Sequence, residues 1–109
     1  MASKILAQSA PAAATSTNMY ACRENGRANA ESMTVCNRGS TDDRVRVSIS
    51  LLGATVATKD YLYYDLLVQA NDSFAAALGW VIPSTAVVRV YSTTGNSSFT
   101  MFGDEAYPA

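Results

Sequence analysis

The stretch Met33–Leu51, MTVCNRGSTDDRVRVSISL, constrains the fold more than any other part of the sequence. After a polar turn, Val45, Val47, Ile49 and Leu51 alternate with Arg44, Arg46, Ser48 and Ser50. Successive strand side chains point to opposite faces, so this strict period of two describes a half-buried strand. Before the turn, Met33 and Val35 alternate with Ser32, Thr34 and Cys36, giving a second strand. The remaining sequence must supply further strands to cover the apolar face of this pair.

Turn chemistry divides the rest of the chain into short strands. Thr17–Cys22 reads as the first strand, followed by an Asn25-Gly26 turn. The second strand covers about Glu31–Asn37, and the third Arg44–Leu51, ending at Gly53. In Thr58–Val68, Leu62, Tyr64, Leu66 and Val68 form one alternating set, and Tyr61, Tyr63, Asp65 and Leu67 the other. Aromatic and aliphatic density favours a strand there, with a helix as the alternative. Phe74–Leu78 fits either a short strand or one helical turn, stopped by Gly79 and followed by a short strand Trp80–Ile82. Ala86–Ser92 is a strand, Thr93–Ser97 a hairpin turn, and Ser98–Phe102 the last strand, closed by Gly103-Asp104-Glu105.

Turn signals every 8–12 residues or so predict an all-β chain with a single antiparallel sandwich, jelly-roll or immunoglobulin-like. The expected core is Met33, Val35, Val45, Val47, Ile49, Leu62, Leu66, Val88, Val90, Phe99 and Met101.

Residues 1–16, MASKILAQSAPAAATS, lack a period and offer little apolar area. That composition predicts an extended N-terminal arm, with residues 17–109 as the sandwich domain. Ile5 and Leu6 are the arm's only large apolar side chains, and with Tyr61 and Tyr63 they are the candidate assembly contacts. Such an arm is expected to order against a neighbouring subunit and to be removable without unfolding the domain.

Composition narrows the chemistry. The chain has no His, which removes the usual triads, the usual zinc sites and the commonest general base. No catalytic residue, metal ligand or cofactor site is assigned. Net charge is −1 with scattered Lys and Arg, so no phosphate-neutralising patch for nucleic acid is expected. No apolar run approaches the roughly 20 residues of a membrane span. Asp42-Asp43 and Asp104-Glu105 read as turn and solvated-edge carboxylates, and the Arg44/Arg46 face as solvated or locally paired. Cys22 and Cys36 could face each other across a hairpin, but without a recognisable secretion signal free thiols are expected. Tyr61, Tyr63, Tyr64, Trp80 and Tyr91 allow an aromatic sugar-stacking platform as an alternative to core and interface roles. Charged residues make up only 16% of the chain, against a usual value of about 25%, which fits a surface covered by partners and equally an Ala/Ser/Thr-rich monomer.

The order of several motifs resembles a known family. These are Leu6–Ala13, Met19-Tyr20, Val35-Cys36-Asn37-Arg38-Gly39, Lys59–Asp65, Ala70–Phe74, Val87–Ser92 and Ser98–Glu105. Together they resemble small virion structural proteins of tailed bacteriophages, over nearly the whole chain. The chain departs from that pattern at Cys22–Gly26, where similar proteins carry an apolar residue, Pro and Gly. The resemblance implies a non-enzymatic particle component, assembled in the bacterial cytoplasm and located in the virion. Its implied partners are other virion structural proteins and copies of itself. A tail or baseplate position, with a possible fibre-adaptor role, is the leading expectation. The alternatives are a capsid decoration protein and a carbohydrate-binding host-recognition module.

Overall fold

The computed structural model describes residues 3–106, apart from the side chain of Leu78. Residues 1, 2 and 107–109 of the two expected segments therefore lie outside the described residues. Among the described residues, eight strands form: β1 (Lys4–Ser9), β2 (Thr17–Ala21), β3 (Arg27–Asn37), β4 (Asp43–Ser50), β5 (Tyr61–Val68), β6 (Ser73–Ile82), β7 (Val87–Ser92) and β8 (Ser97–Ala106). They make two four-stranded antiparallel sheets, β1-β8-β3-β6 and β2-β7-β4-β5. Odd and even strands of the first half of the chain go to opposite sheets, and the second half returns to lie beside them. This is the connectivity of a jelly-roll sandwich.

The inner faces meet in a core that includes Met33, Val35, Val45, Val47, Val88, Val90, Phe99 and Met101, as the alternation predicts, joined by Tyr20, Cys22, Val68 and Ile82. Ile49 and Leu66 pack against it from the margin. Leu62 does not: it is exposed. The reason is local. β5 slips its register against β4 twice, between Val47↔Tyr63 and Ser48↔Tyr61 and between Val45↔Leu66 and Val47↔Tyr63. Asp65, at φ 53°, sits in the second slip. Each bulge inverts the phase of the strand.

Three other departures have the same kind of cause. β3 starts at Arg27, not Glu31, because the register shifts between Ala30 and Ser32. That shift lets Ala28 and Ala30 share the inner side with Met33 and Val35. β6 is one continuous strand across Phe74–Leu78, Gly79 and Trp80–Ile82, because its partner β3 runs the full length beside it. β8 continues through Gly103 to Ala106. A side chain at Gly103 would lie 1.9 Å from the Asn29 carbonyl oxygen, so glycine permits the strand to pass there.

The largest correction concerns the first sixteen residues. Residues 4–9 are not an arm but the edge strand β1, paired with β8 from Lys4↔Gly103 to Ser9↔Phe99. Leu6 and Ala7 pack on the core and Pro11 is buried. The segment orders not against a neighbouring subunit but against β8 of the same chain, a pairing that no local composition announces.

Cys22 and Cys36 are both free. Cys36 lies one residue from the C-terminal end of the eleven-residue β3, and Cys22 lies in the connection that leads into the strand's other end, so the length of the strand, at about 3.3 Å per residue, keeps them beyond disulfide reach.

Candidate functional site

Loops gather at the two ends of the sandwich. At one end, β1–β2, β3–β4, β5–β6 and β7–β8 meet around Asp43, which is 1% exposed. Its Oδ2 accepts hydrogen bonds from Ser92 Oγ and Ser97 Oγ, both at 2.5 Å. Its Oδ1 accepts from the Arg44 and Thr94 amides at 2.8 and 3.0 Å. Burial alone would raise the Asp43 pKa. The hydrogen bonds from Ser92, Ser97, Thr94 and Arg44 outweigh it and hold the carboxyl below its ordinary value. Beside it, Asn37 Nδ2 donates to the carbonyls of Thr41, Val68 and Gln69, while Asn37 Oδ1 accepts from the Gly39 amide. The Cys-Asn-Arg-Gly motif is thus a loop clamp. Asp43, read from the sequence as a solvated turn residue, is buried because its partners lie about fifty residues away. Its oxygens are occupied by the protein's own donors, so this cluster holds the fold together.

The other end carries the exposed apolar surface. β4 ends at Ser50, and Leu51–Gly53 form a tight turn. Leu52 is 81% exposed and Leu51 62%. Leu52 also adopts φ 57°, ψ 24°, a left-handed conformation that costs a branched residue about 1–2 kcal/mol. The turn is held by Arg89 of β7. Its Nη1 donates to the Ala54 carbonyl at 2.8 Å and to Ser50 Oγ at 3.1 Å, and its Nη2 to the Gly53 carbonyl at 3.3 Å. Asn18 Oδ1 fixes the same guanidinium through Nε at 2.8 Å.

The far side of the loop is anchored by Asp60. It accepts from the Ala57 amide at 2.9 Å, Lys59 Nζ at 3.1 Å and Ser50 Oγ at 3.3 Å. The Ala57 amide, then Lys59, lowers its pKa. Between these anchors an open cleft of about 450 Å³ is lined by Val56, Ala57, Thr58, Tyr61 and Tyr64.

Tyr64 continues the surface along the outer face of the second sheet. Its ring meets Tyr61 edge-on at 4.8 Å. The Arg46 guanidinium lies between Tyr64 and Tyr91, 4.3 and 4.5 Å from their ring centres, and its Nε donates to Asp65 Oδ1 at 2.7 Å. The sequence reading of a solvated Arg46 implies that Arg46→Ala costs within about half a kcal/mol. Two ring contacts and an ion pair raise the expected cost to about 1–2 kcal/mol. Urea unfolding of the variant checks this, and a change below half a kcal/mol would show that the stack contributes nothing.

The four candidate assembly contacts do not come together. Ile5 is exposed on the edge of the first sheet, while Leu6 turns toward the core. Tyr61 lines the cleft, whereas Tyr63 packs inward against Phe74 and Trp80, at 6.0 and 5.9 Å. The same contacts divide the aromatic platform. Trp80 and Tyr63 pack together beside the core, and only Tyr61, Tyr64 and Tyr91 remain on the outer face.

Leu51, Leu52, Val56 and Arg89 were not singled out by sequence reasoning. The available signal was the paired Leu51-Leu52 directly before Gly53, where alternation stops without a polar turn residue.

Among the described residues, no group of three or more Cys, Asp or Glu is arranged to hold a metal ion. Burial and the neighbouring Glu105 raise the Cys22 thiol pKa, which lowers its nucleophilic fraction. The chemistry available at the Leu52 end is contact: a rigid apolar projection beside an aromatic-lined cleft. No protein-family model matches the chain, and no curated protein is significantly similar to it in sequence.

Proposed function

We propose that the chain is a non-enzymatic structural protein of a tailed-bacteriophage virion, attached at the tail or baseplate. One observation carries the reading: an exposed leucine pair held in a strained turn by a four-bonded arginine. Strain is retained where surrounding structure over-determines it, and such positions cluster at contact and functional sites. An exposed Leu pair beside an aromatic cleft is an unfavourable surface in water and a favourable one against another protein. The jelly-roll connectivity fits as well, since it recurs in viral capsid and lectin domains. That support is analogy of fold, because one fold serves many functions. The motif resemblance points the same way, and the partners are other virion proteins in the particle.

The test is to purify particles carrying wild-type or Leu52→Gly protein. Glycine accepts the left-handed turn, so the variant should unfold at the same urea concentration as wild type or a higher one. Its occupancy in particles should fall severalfold. Electron microscopy should place the wild-type protein at the tail. Density spread over the shell would move it to capsid decoration. Its absence from particles, with soluble protein left in the lysate, would overturn the reading.

A further inference from the structure

A sandwich of two four-stranded sheets has four edge strands, and three of these edges are blunted. β1 carries Lys4 and a register shift between Ile5 and Ala7. β2 has five residues and a shift between Asn18 and Tyr20. β5 has two shifts and the left-handed Asp65. Bulges, short length and lysine are the usual devices against edge-to-edge pairing.

β6 is different. Its ten residues, SFAAALGWVI, contain no charge and no proline. From Ser73 to Ala77 it runs beside β3 in unbroken register, and its irregularity comes only after Ala77. Ala75, Ala77 and Gly79 are exposed, and Val81 is 65% exposed. Among the described residues, no backbone hydrogen bond outside the β3 ladder reaches β6. Alternate amides and carbonyls along Ser73–Ala77 therefore face outward; Asp72 Oδ1 accepts from the Ser73 amide at 2.8 Å, and the groups at Ala75 and Ala77 are left to water or to another extended backbone.

We infer that β6 pairs antiparallel with β6 of a second copy, about a two-fold axis at Ala75, joining the two four-stranded sheets into one of eight. The sequence is self-complementary for this. Ala75 meets Ala75, Ser73 meets Ala77 and Phe74 meets Ala76, so no like charges are brought together and the one large side chain faces an alanine. An isologous pair consumes the one edge whose uncharged run, Ser73–Ala77, is in unbroken register, so growth stops at two copies. The contact is about 17 Å long by one sheet thickness of about 10 Å. That falls well short of the roughly 1,200 Å² of a stable interface, so the pair forms as concentration rises. The pairing is independent of the virion reading, and either can fail without the other.

The test is sedimentation velocity of the full chain over a wide concentration range, with Ala75→Lys, Ala75→Glu and Leu52→Asp variants. Position 75 is exposed, and far-ultraviolet circular dichroism checks that each variant keeps the fold. Wild type should move from monomer toward dimer. Ala75→Lys alone should dimerise about tenfold more weakly or worse, because lysine faces lysine across the axis. Mixing Ala75→Lys with Ala75→Glu should restore the dimer. A wild type that stays monomeric throughout would overturn the inference. So would a dimer that tolerates Ala75→Lys but is lost in Leu52→Asp, or an open series of larger species.

Discussion

A chain lacking residues 2–14 is expected to lose several kcal/mol of stability, and with it most of its resistance to heat. The deletion removes all of β1, uncovers one side of β8, takes Leu6 and Ala7 off the core and removes the buried Pro11. It also removes Ala13, whose backbone bridges Ser92. The left-handed Gly95 is packed against that same residue: a side chain at Gly95 would lie 2.9 Å from the Ala13 amide nitrogen. Each net backbone hydrogen bond contributes about 0.5–1.5 kcal/mol, and five residue pairs link β1 to β8. The apolar contacts add to this, while the entropy of no longer ordering the segment offsets part of it. A net loss of about 4 kcal/mol is a large share of the roughly 5–15 kcal/mol that holds a domain together. For a domain of this size it lowers the melting temperature by roughly 15–30 °C. Circular dichroism on the truncated chain measures both the melting point and the strand content. A truncated chain that melts with wild type would return residues 4–9 to the status of a detachable arm.

The second large effect is expected at Asp43. Replacing it by alanine strands two buried hydroxyls, of Ser92 and Ser97, and two backbone amides, of Arg44 and Thr94. Each buried donor left unmet costs about 1–3 kcal/mol, and water entering from the loop end satisfies some of them. The expected loss is about 3–5 kcal/mol in urea unfolding at neutral pH. A pH series supplies the sign. The folded pKa lies below the ordinary value of 3.8, so the stabilisation is fully present above that value. It is lost as pH falls through the lower folded value. The gap between wild type and Asp43→Ala should therefore be widest near neutrality and narrow below about pH 4. A gap independent of pH would mean that the variant acts through packing instead of charge.

The parts of the fold that were legible are those with local causes. β4 could be read from Val45, Val47 and Ile49, and the turn after β2 from Asn25-Gly26, where Asn25 sits at φ 65°. The parts that were not legible depend on distant partners. Glu31 in β3 and Asp65 in β5 shift the phase of their strands to follow a neighbour, which strict alternation cannot express. Asp43 looks like any turn aspartate until Ser92 and Ser97 arrive from the other half of the chain. The Leu51–Leu52 tip was invisible for a related reason. Its conformation is imposed by Arg89, and alternation alone placed Leu51 as the last inward residue of a strand that ends one position earlier.

The pairing of β1 with β8 also sets a timetable for synthesis. From Lys4 to Ser97 is a separation of 93 positions. At about 5–20 residues per second, the ribosome takes roughly 5–20 s between making the first of these strands and starting the second. β8 also forms the seam between β1 and β3, so the first sheet has no centre until then. During that interval β3 and β6 can pair, while Met33 and Val35 stay uncovered by Phe99 and Met101. The nascent chain therefore presents adhesive surface for seconds before it can close. Its yield in the cell should respond to holdases that bind nascent chains and to translation speed more than its final stability suggests.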